Sequence, residues 1–195
     1  MVRKMAVMAA VGAAAIVAGG VMPAAAAAVT VVRCSTPALV SAVSGAASGA
    51  TLSLAKGCTY VLTAALPAVA QDLTINGNGA TLHRGTAVGT PAFTILTITA
   101  GTVTLNRLSF TNGHGAITVD DQATLIVTGG VFRGNTAADG GAINNAAATV
   151  VQVTGASFID NTATGSGGAI SASGNGFGKG SPFIEPRRGT AASSA

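Results

Sequence analysis

Residues 131–145 read VFRGNTAADGGAINN, and residues 157–171 read SFIDNTATGSGGAIS. Laid one on the other, Phe132 meets Phe158 and Asn135 meets Asn161. Gly140-Gly141-Ala142-Ile143 then meets Gly167-Gly168-Ala169-Ile170, once one residue is added to the turn between. A worn third copy precedes them, with Phe110 followed by Gly115-Ala116-Ile117. Upstream of each Phe the copies also agree. Val103, Leu125 and Val151 stand seven residues before, and Leu105, Val127 and Val153 five before. Between and after these come Thr104, Ile126 and Gln152, then Asn106, Thr128 and Thr154, which are mostly polar. That alternation gives a strand with one apolar and one wet face. Ile117 to Phe132 and Ile143 to Phe158 are both 15 residues, and only the turn from Phe to Gly-Ala-Ile changes length. A fixed unit with one elastic turn is the mark of a stacked repeat.

Each unit is 22 to 27 residues and carries three short strand candidates parted by Gly-rich corners. In the middle copy these are 123–128, 131–132 and 142–144. The corner pairs Gly129-Gly130 and Gly155-Ala156 occupy the same place in consecutive units. Residues of one type at one register stack into columns if each winding lies on the last, an arrangement a sandwich does not use. Five windings at about 4.8 Å give a stack of roughly 24 Å, with the three Phe side chains one above another inside. From Asp72 onward short strands broken by Gly and Asn are expected at 72–76, 93–99 and 102–108, with a turn at 76–79.

The Phe-x-x-Asn of Phe132 to Asn135 and Phe158 to Asn161, followed by Gly-Gly-Ala-Ile, resembles the repeats of the polymorphic outer membrane protein family and related secreted right-handed parallel β-helix proteins. The first copy departs from the motif, with Asn112 one place early and His114 in place of the first Gly. The resemblance covers about residues 101–172. It implies a mostly β, right-handed parallel β-helix, a single-stranded solenoid of about five coils, together with export and a surface or adhesive role. It does not imply an autotransporter, because the residues beyond 176 are too few for a membrane barrel. In this reading Phe110, Phe132, Phe158, Ile143 and Ile170 face inward, Gly140, Gly141, Gly167 and Gly168 permit tight bends, and Asn135 and Asn161 bond their own turn and each other.

The chain divides into an expected signal peptide at 1–28, a cap and first coil at 29–70, repeats at 71–176 and an irregular tail at 177–195. Arg3 and Lys4, an apolar run and an Ala-rich cleavage region make the leader, and no later stretch is long and apolar enough to span a bilayer. Between Val29 and Gly176 five basic residues (Arg33, Lys56, Arg84, Arg107, Arg133) balance five acidic ones (Asp72, Asp120, Asp121, Asp139, Asp160). They look scattered along the chain, so nucleic acid is not an expected partner. Two cysteines in an exported chain predict a Cys34–Cys58 disulfide, worth about 3–4 kcal/mol in the chain-entropy model. Ser35 or Thr36 caps a short helix with Pro37 in its first turn, Leu39, Val43 and Ala46 on one stripe, and Gly45 and Gly49 ending it. A helix there covers the open edge of the first coil, and the disulfide pins it in place.

The chemistry-bearing candidates are few. Asp120-Asp121 is the only adjacent acidic pair in the body, and Gly113-His114-Gly115 faintly resembles the Gly-His-Gly of polygalacturonase-type hydrolases. Were the chain a polysaccharide lyase or hydrolase, Asp120, Asp121 and His114 would carry the proton transfers. The expectation is otherwise: no catalytic residue, no metal and no cofactor. The leading reading is a secreted or cell-surface, non-enzymatic module, structural or adhesive, whose partner is an extracellular glycan or a host or cell-surface protein. A further alternative is a truncated, non-functional fragment of a longer repeat protein, since position 185, where another Phe is due, is Glu. An ice-binding face is not expected, because the outward pairs Thr104/Asn106, Ile126/Thr128 and Gln152/Thr154 are irregular.

Overall fold

The computed structural model describes residues 29–120, 122–145, 149–172 and 193–194. The chain opens with β1 (Val29–Val32) and the helix α1 (Thr36–Ser44). The first winding holds β2 (Ala50–Leu54) and β3 (Thr59–Leu62), and the second β4 (Leu73–Asn76), β5 (Thr81–Arg84) and β6 (Leu96–Ile98). The third holds β7 (Thr102–Asn106), β8 (Ser109–Thr111) and β9 (Ile117–Val119). The fourth holds β10 (Thr124–Thr128), β11 (Val131–Arg133), β12 (Thr136–Ala137) and β13 (Ile143–Asn145). The fifth runs through β14 (Val150–Thr154), β15 (Ser157–Ile159), β16 (Thr162–Ala163) and β17 (Ile170–Ala172), and β18 (Ser193–Ser194) pairs onto β17.

Every pairing is parallel and joins a strand to its counterpart one winding away. The first sheet runs β1-β2-β4-β7-β10-β14, the second β3-β5-β8-β11-β15, the third β6-β9-β13-β17-β18, and β12 with β16 makes a fourth, short one. The protein is a parallel β-solenoid of about five turns. Its core is a set of columns one winding apart: Leu73, Val103, Leu125 and Val151, then Ile75, Leu105, Val127 and Val153, both in the first sheet. The third sheet contributes Leu96, Ile117, Ile143 and Ile170. Nearly all of these are wholly buried. The period-two pattern produces this directly, because each strand sends alternate side chains into a narrow interior shared with two other sheets.

The aromatic column lies in the second sheet. Phe110 and Phe132 stack with ring centroids 5.1 Å apart and planes within 9°, and Phe132 and Phe158 at 4.9 Å and 11°. These separations are close to the spacing between paired strands, so backbone register alone brings the rings into contact. Below them the same column continues through Leu82 to Tyr60. The Tyr60 hydroxyl donates to the Val32 carbonyl (3.3 Å) and accepts from the Ala55 N–H (3.2 Å), which satisfies its buried polar end.

Helix α1 begins after Ser35, with Pro37 in its first turn, and ends at Gly45, whose N–H donates to Ser41 O (2.9 Å). Ser35 makes no side-chain capping bond; instead the Thr36 hydroxyl donates to Val61 O (2.8 Å), on the outer edge of β3. Leu39 and Val43 are buried over the first winding, with Ala46 packed beside them. Cys34 and Cys58 are disulfide-bonded, with Cα atoms 5.7 Å apart. The helix shares the edge with a strand the sequence pattern did not single out. β1 adds to β2 in register Val29 to Thr51 through Val32 to Leu54. Strand limits differ from the expected ones as well. The piece expected at 93–99 is a strand only over Leu96–Ile98, and 102–108 breaks at a corner, Arg107-Leu108, into β7 and β8. β5 was not anticipated. The leader expected at 1–28 and, apart from Ser193–Ser194, the tail expected at 177–195 lie outside the described residues.

Candidate functional site

The polar residues that recur between the Phe-x-x-Asn and Gly-Gly-Ala-Ile repeats turn inward or into the corners. Asn135 and Asn161, both buried, form a ladder between windings. The Asn161 side-chain oxygen accepts from the Asn135 backbone N–H (3.1 Å) and side-chain amide (2.9 Å), while its own amide donates to Phe132 O (2.9 Å). The Asn135 oxygen accepts from the Gly113 N–H (2.9 Å) and its amide donates to Phe110 O (3.1 Å). Burial without these partners would cost each amide several kcal/mol, so the ladder is what allows Asn to stand in the core.

The worn first copy now has an explanation. The residue before the ladder position takes a left-handed backbone in all three windings: Asn112 (φ 60°), Gly134 (62°) and Asp160 (53°). Asn and Asp tolerate that region better than other side chains. Asn112 therefore fills the left-handed place, and Gly113, bearing no side chain, ends the ladder with its N–H. Gly140 (φ 57°) and Gly167 (φ 62°) are required for a second reason. A Cβ on either would run into the carbonyl oxygen three residues on, of Ile143 or Ile170.

Aspartates act as acceptors between windings. Asp72 Oδ1 receives the Thr102 N–H (2.7 Å) and Asp139 Oδ1 the Ser166 N–H (2.7 Å). Asp120 closes the turn into β10 through its backbone, its carbonyl accepting from Ala123 N–H (3.2 Å), with Gln122 at φ 68°. Asp121 lies outside the described residues. His114 is exposed, on the loop before β9, with its N–H on Phe93 O (3.0 Å) and its carbonyl receiving the Thr94 hydroxyl (3.0 Å). Five residues separate His114 from Asp120, three of them the strand β9 with about 10 Å of extended chain, so the fold puts them at opposite ends of one strand. Among the described residues no group of three or more His, Cys, Asp or Glu is placed to hold a metal ion.

What faces solvent is set by the same columns. The first sheet presents Val29, Thr51, Thr74, Thr104, Ile126 and Gln152 in one column, and Val31, Ser53, Asn76, Asn106, Thr128 and Thr154 in the next. The Asn106 amide donates to the Asn76 oxygen (2.9 Å) along the second of these. Thr-x-Ser and Thr-x-Asn on three successive windings give way to Ile-x-Thr and Gln-x-Thr, so the face changes character along the axis.

These features define a parallel β-solenoid repeat protein whose recurring residues are spent on stacking. Residues 155–173 match the family model of the Chlamydia polymorphic membrane protein repeat. That match covers the fifth winding from its first corner to β17, the copy in which Phe158, Asn161 and Gly167-Gly168-Ala169-Ile170 stand together. No curated protein and no solved structure matches the chain. Repeat and fold together fit a surface-exposed repeat protein. Among the described residues no helix is long and apolar enough to cross a membrane.

Proposed function

We propose that the chain is a non-enzymatic module of the cell surface or extracellular space, a rigid solenoid whose outer faces bind an extracellular glycan or a cell-surface protein. The observation that carries this reading is the use made of the polar side chains. Asn135, Asn161, Asp72 and Asp139 all bond one winding to the next, which is the work of a scaffold. The leader expected at 1–28 and the polymorphic membrane protein repeat support an exported setting. Solenoids offer long, regular outer surfaces, and such surfaces serve binding.

The test pairs two measurements on the purified chain. Beads coated with it should adhere to cells or to immobilised extracellular glycans above beads coated with an unrelated β protein. Incubation with acidic polysaccharides should release no reducing ends and no unsaturated products. Sustained turnover that is abolished by Asp120→Ala or Asp121→Ala would overturn the proposal in favour of a lyase or hydrolase.

A further inference from the structure

The five cations of the body sit at 33, 56, 84, 107 and 133, in steps of 23, 28, 23 and 26 residues. Those steps are the lengths of the windings: paired strands in the first two sheets are offset by 22 to 30 residues. Charges that look dispersed in sequence are therefore gathered on one side. Arg33 follows β1, where the chain turns into α1, while Lys56 follows β2 and Arg107 follows β7 on the corner that leads from the first sheet into the second; all three are exposed. Arg133 is exposed on the outer face of the second sheet, in the column of Val61, His83 and Thr111. Arg84 ends β5, its guanidinium donating to Asn112 O (2.7 Å) and Pro91 O (3.2 Å). Each of five successive levels, from β1 to the fourth winding, contributes one cation to this side.

The described carboxylates are placed elsewhere. Asp72 and Asp120 lie on the corner before the first sheet, and Asp139 on the turn before the third. Asp160 alone is on the second-sheet side, directly after β15 in the fifth winding, one residue past the strand partner of Arg133. The alignment is also built into the packing. A Cβ on Gly129 would lie 3.4 Å from Arg107 Cγ, so the arginine stem runs over the next winding, along the axis, in the space glycine leaves.

We propose that the second sheet and the corner entering it form a binding face for a linear acidic polysaccharide lying along the solenoid axis. The proposal rests on the reading of the chain as an extracellular binding module and names its ligand class. One cation per level spaces the charges about 4.8 Å apart along the axis over roughly 19 Å, with Arg33, Lys56 and Arg107 at the entry to the second sheet and Arg84 and Arg133 at its exit. Duplex DNA carries a charge about every 1.7 Å, far denser than this row. Single-stranded nucleic acid needs outward aromatic platforms, whereas Tyr60, Phe110 and Phe132 of this sheet are buried and Phe158 is stacked inward on Phe132. A polymer whose charges are separated by whole sugar rings matches the row better. Thr59 and Thr81 on the same face supply hydroxyls suited to sugars, and the Thr111 hydroxyl is bonded to His83 Nδ1 (2.9 Å).

The experiment measures binding of the whole chain to heparin, to polygalacturonate, to an oligothymidylate and to vesicles rich in phosphatidylserine, over a salt series. The proposal expects both acidic glycans to bind, with affinity falling as salt rises. The triple variant Lys56→Gln, Arg107→Gln, Arg133→Gln should weaken both at least tenfold and flatten the salt dependence. Thr104→Gln on the first sheet should leave them unchanged. Absence of glycan binding, parental affinity in the triple variant, or tighter binding of the oligonucleotide or vesicles would overturn it. If cells are still bound by the triple variant as by the parent, this face is the wrong one and the adhesion reading survives. If the parent binds no cells, it is the adhesion reading that fails.

Discussion

In windings three to five the inward column of the second sheet is Phe110, Phe132 and Phe158, and buried asparagines bond one level to the next. In windings one and two the same column is Tyr60 and Leu82, and the bonds between levels come from elsewhere. There Asn78 donates to Ser53 Oγ (3.1 Å) and Leu54 O (2.9 Å), Gln71 donates to Ala46 O (3.0 Å), and the Cys34–Cys58 disulfide ties the start of the helix to the first winding. The repetitive end relies on identical neighbours. The beginning of the stack, among the described residues, is covered by β1 and α1 rather than by another winding, and relies on a covalent link, a helix and side chains that each work once. In a solenoid, where each unit touches only the next, these two regimes need not fail together.

The largest effect that probes this contrast is expected from Phe132→Ala. It removes the middle ring of the stack and should cost about 3–5 kcal/mol, a large part of the stability of a domain this size. The denaturant midpoint reads it. Leu82→Ala, in the same column lower down, should cost less; an equal loss would mean that ring stacking adds nothing beyond burial.

Replacing Cys34 and Cys58 together by Ser should cost about 3 kcal/mol. Hydrogen exchange should show lost protection concentrated in β1, α1 and the first winding. Uniform loss across all windings would show that the two regions unfold as one. Asn135→Ala should cost about 2 kcal/mol by orphaning the Gly113 N–H and the Phe110 carbonyl, and the loss of protection should fall in windings three to five. Asp139→Ala and Asp72→Ala should each cost about 1 kcal/mol, because both regions use the same carboxylate-to-backbone bond. A marked difference between them in thermal melting would sharpen where the boundary lies.

Much of this was legible in the residues. The Phe and Ile columns follow from constant spacing, the helix from Pro37 and the stripe of Leu39 and Val43, and the disulfide from two cysteines in a chain expected to be exported. β1 was hidden because four residues between an apolar leader and a helix carry no periodic signal, and their pairing is decided by β2, twenty-two residues on. β5 was hidden because Thr81-Leu82-His83-Arg84 has one apolar residue, and only the column above and below Leu82 shows it to be inward. The misplaced Asn of the first copy could not be interpreted without φ at position 112. The charge arrangement was present all along in the spacing of Arg33, Lys56, Arg84, Arg107 and Arg133, but that spacing has meaning only once the winding length is known. What stayed illegible is any partner, since the packing rules that fix the inward residues place no demand on the outward ones.

The loop between β5 and β6 offers a practical consequence. Its base is fastened by Gly85 N–H on Leu62 O (2.7 Å) and by the Arg84 guanidinium, while Val88 at its tip stands wholly in solvent beside Gly89. Everything that sets the register lies below that clasp. A foreign peptide spliced between Val88 and Gly89 would be carried outward as a tethered epitope, leaving the ladder beneath untouched, and the same position is where natural variation in length would go unpunished.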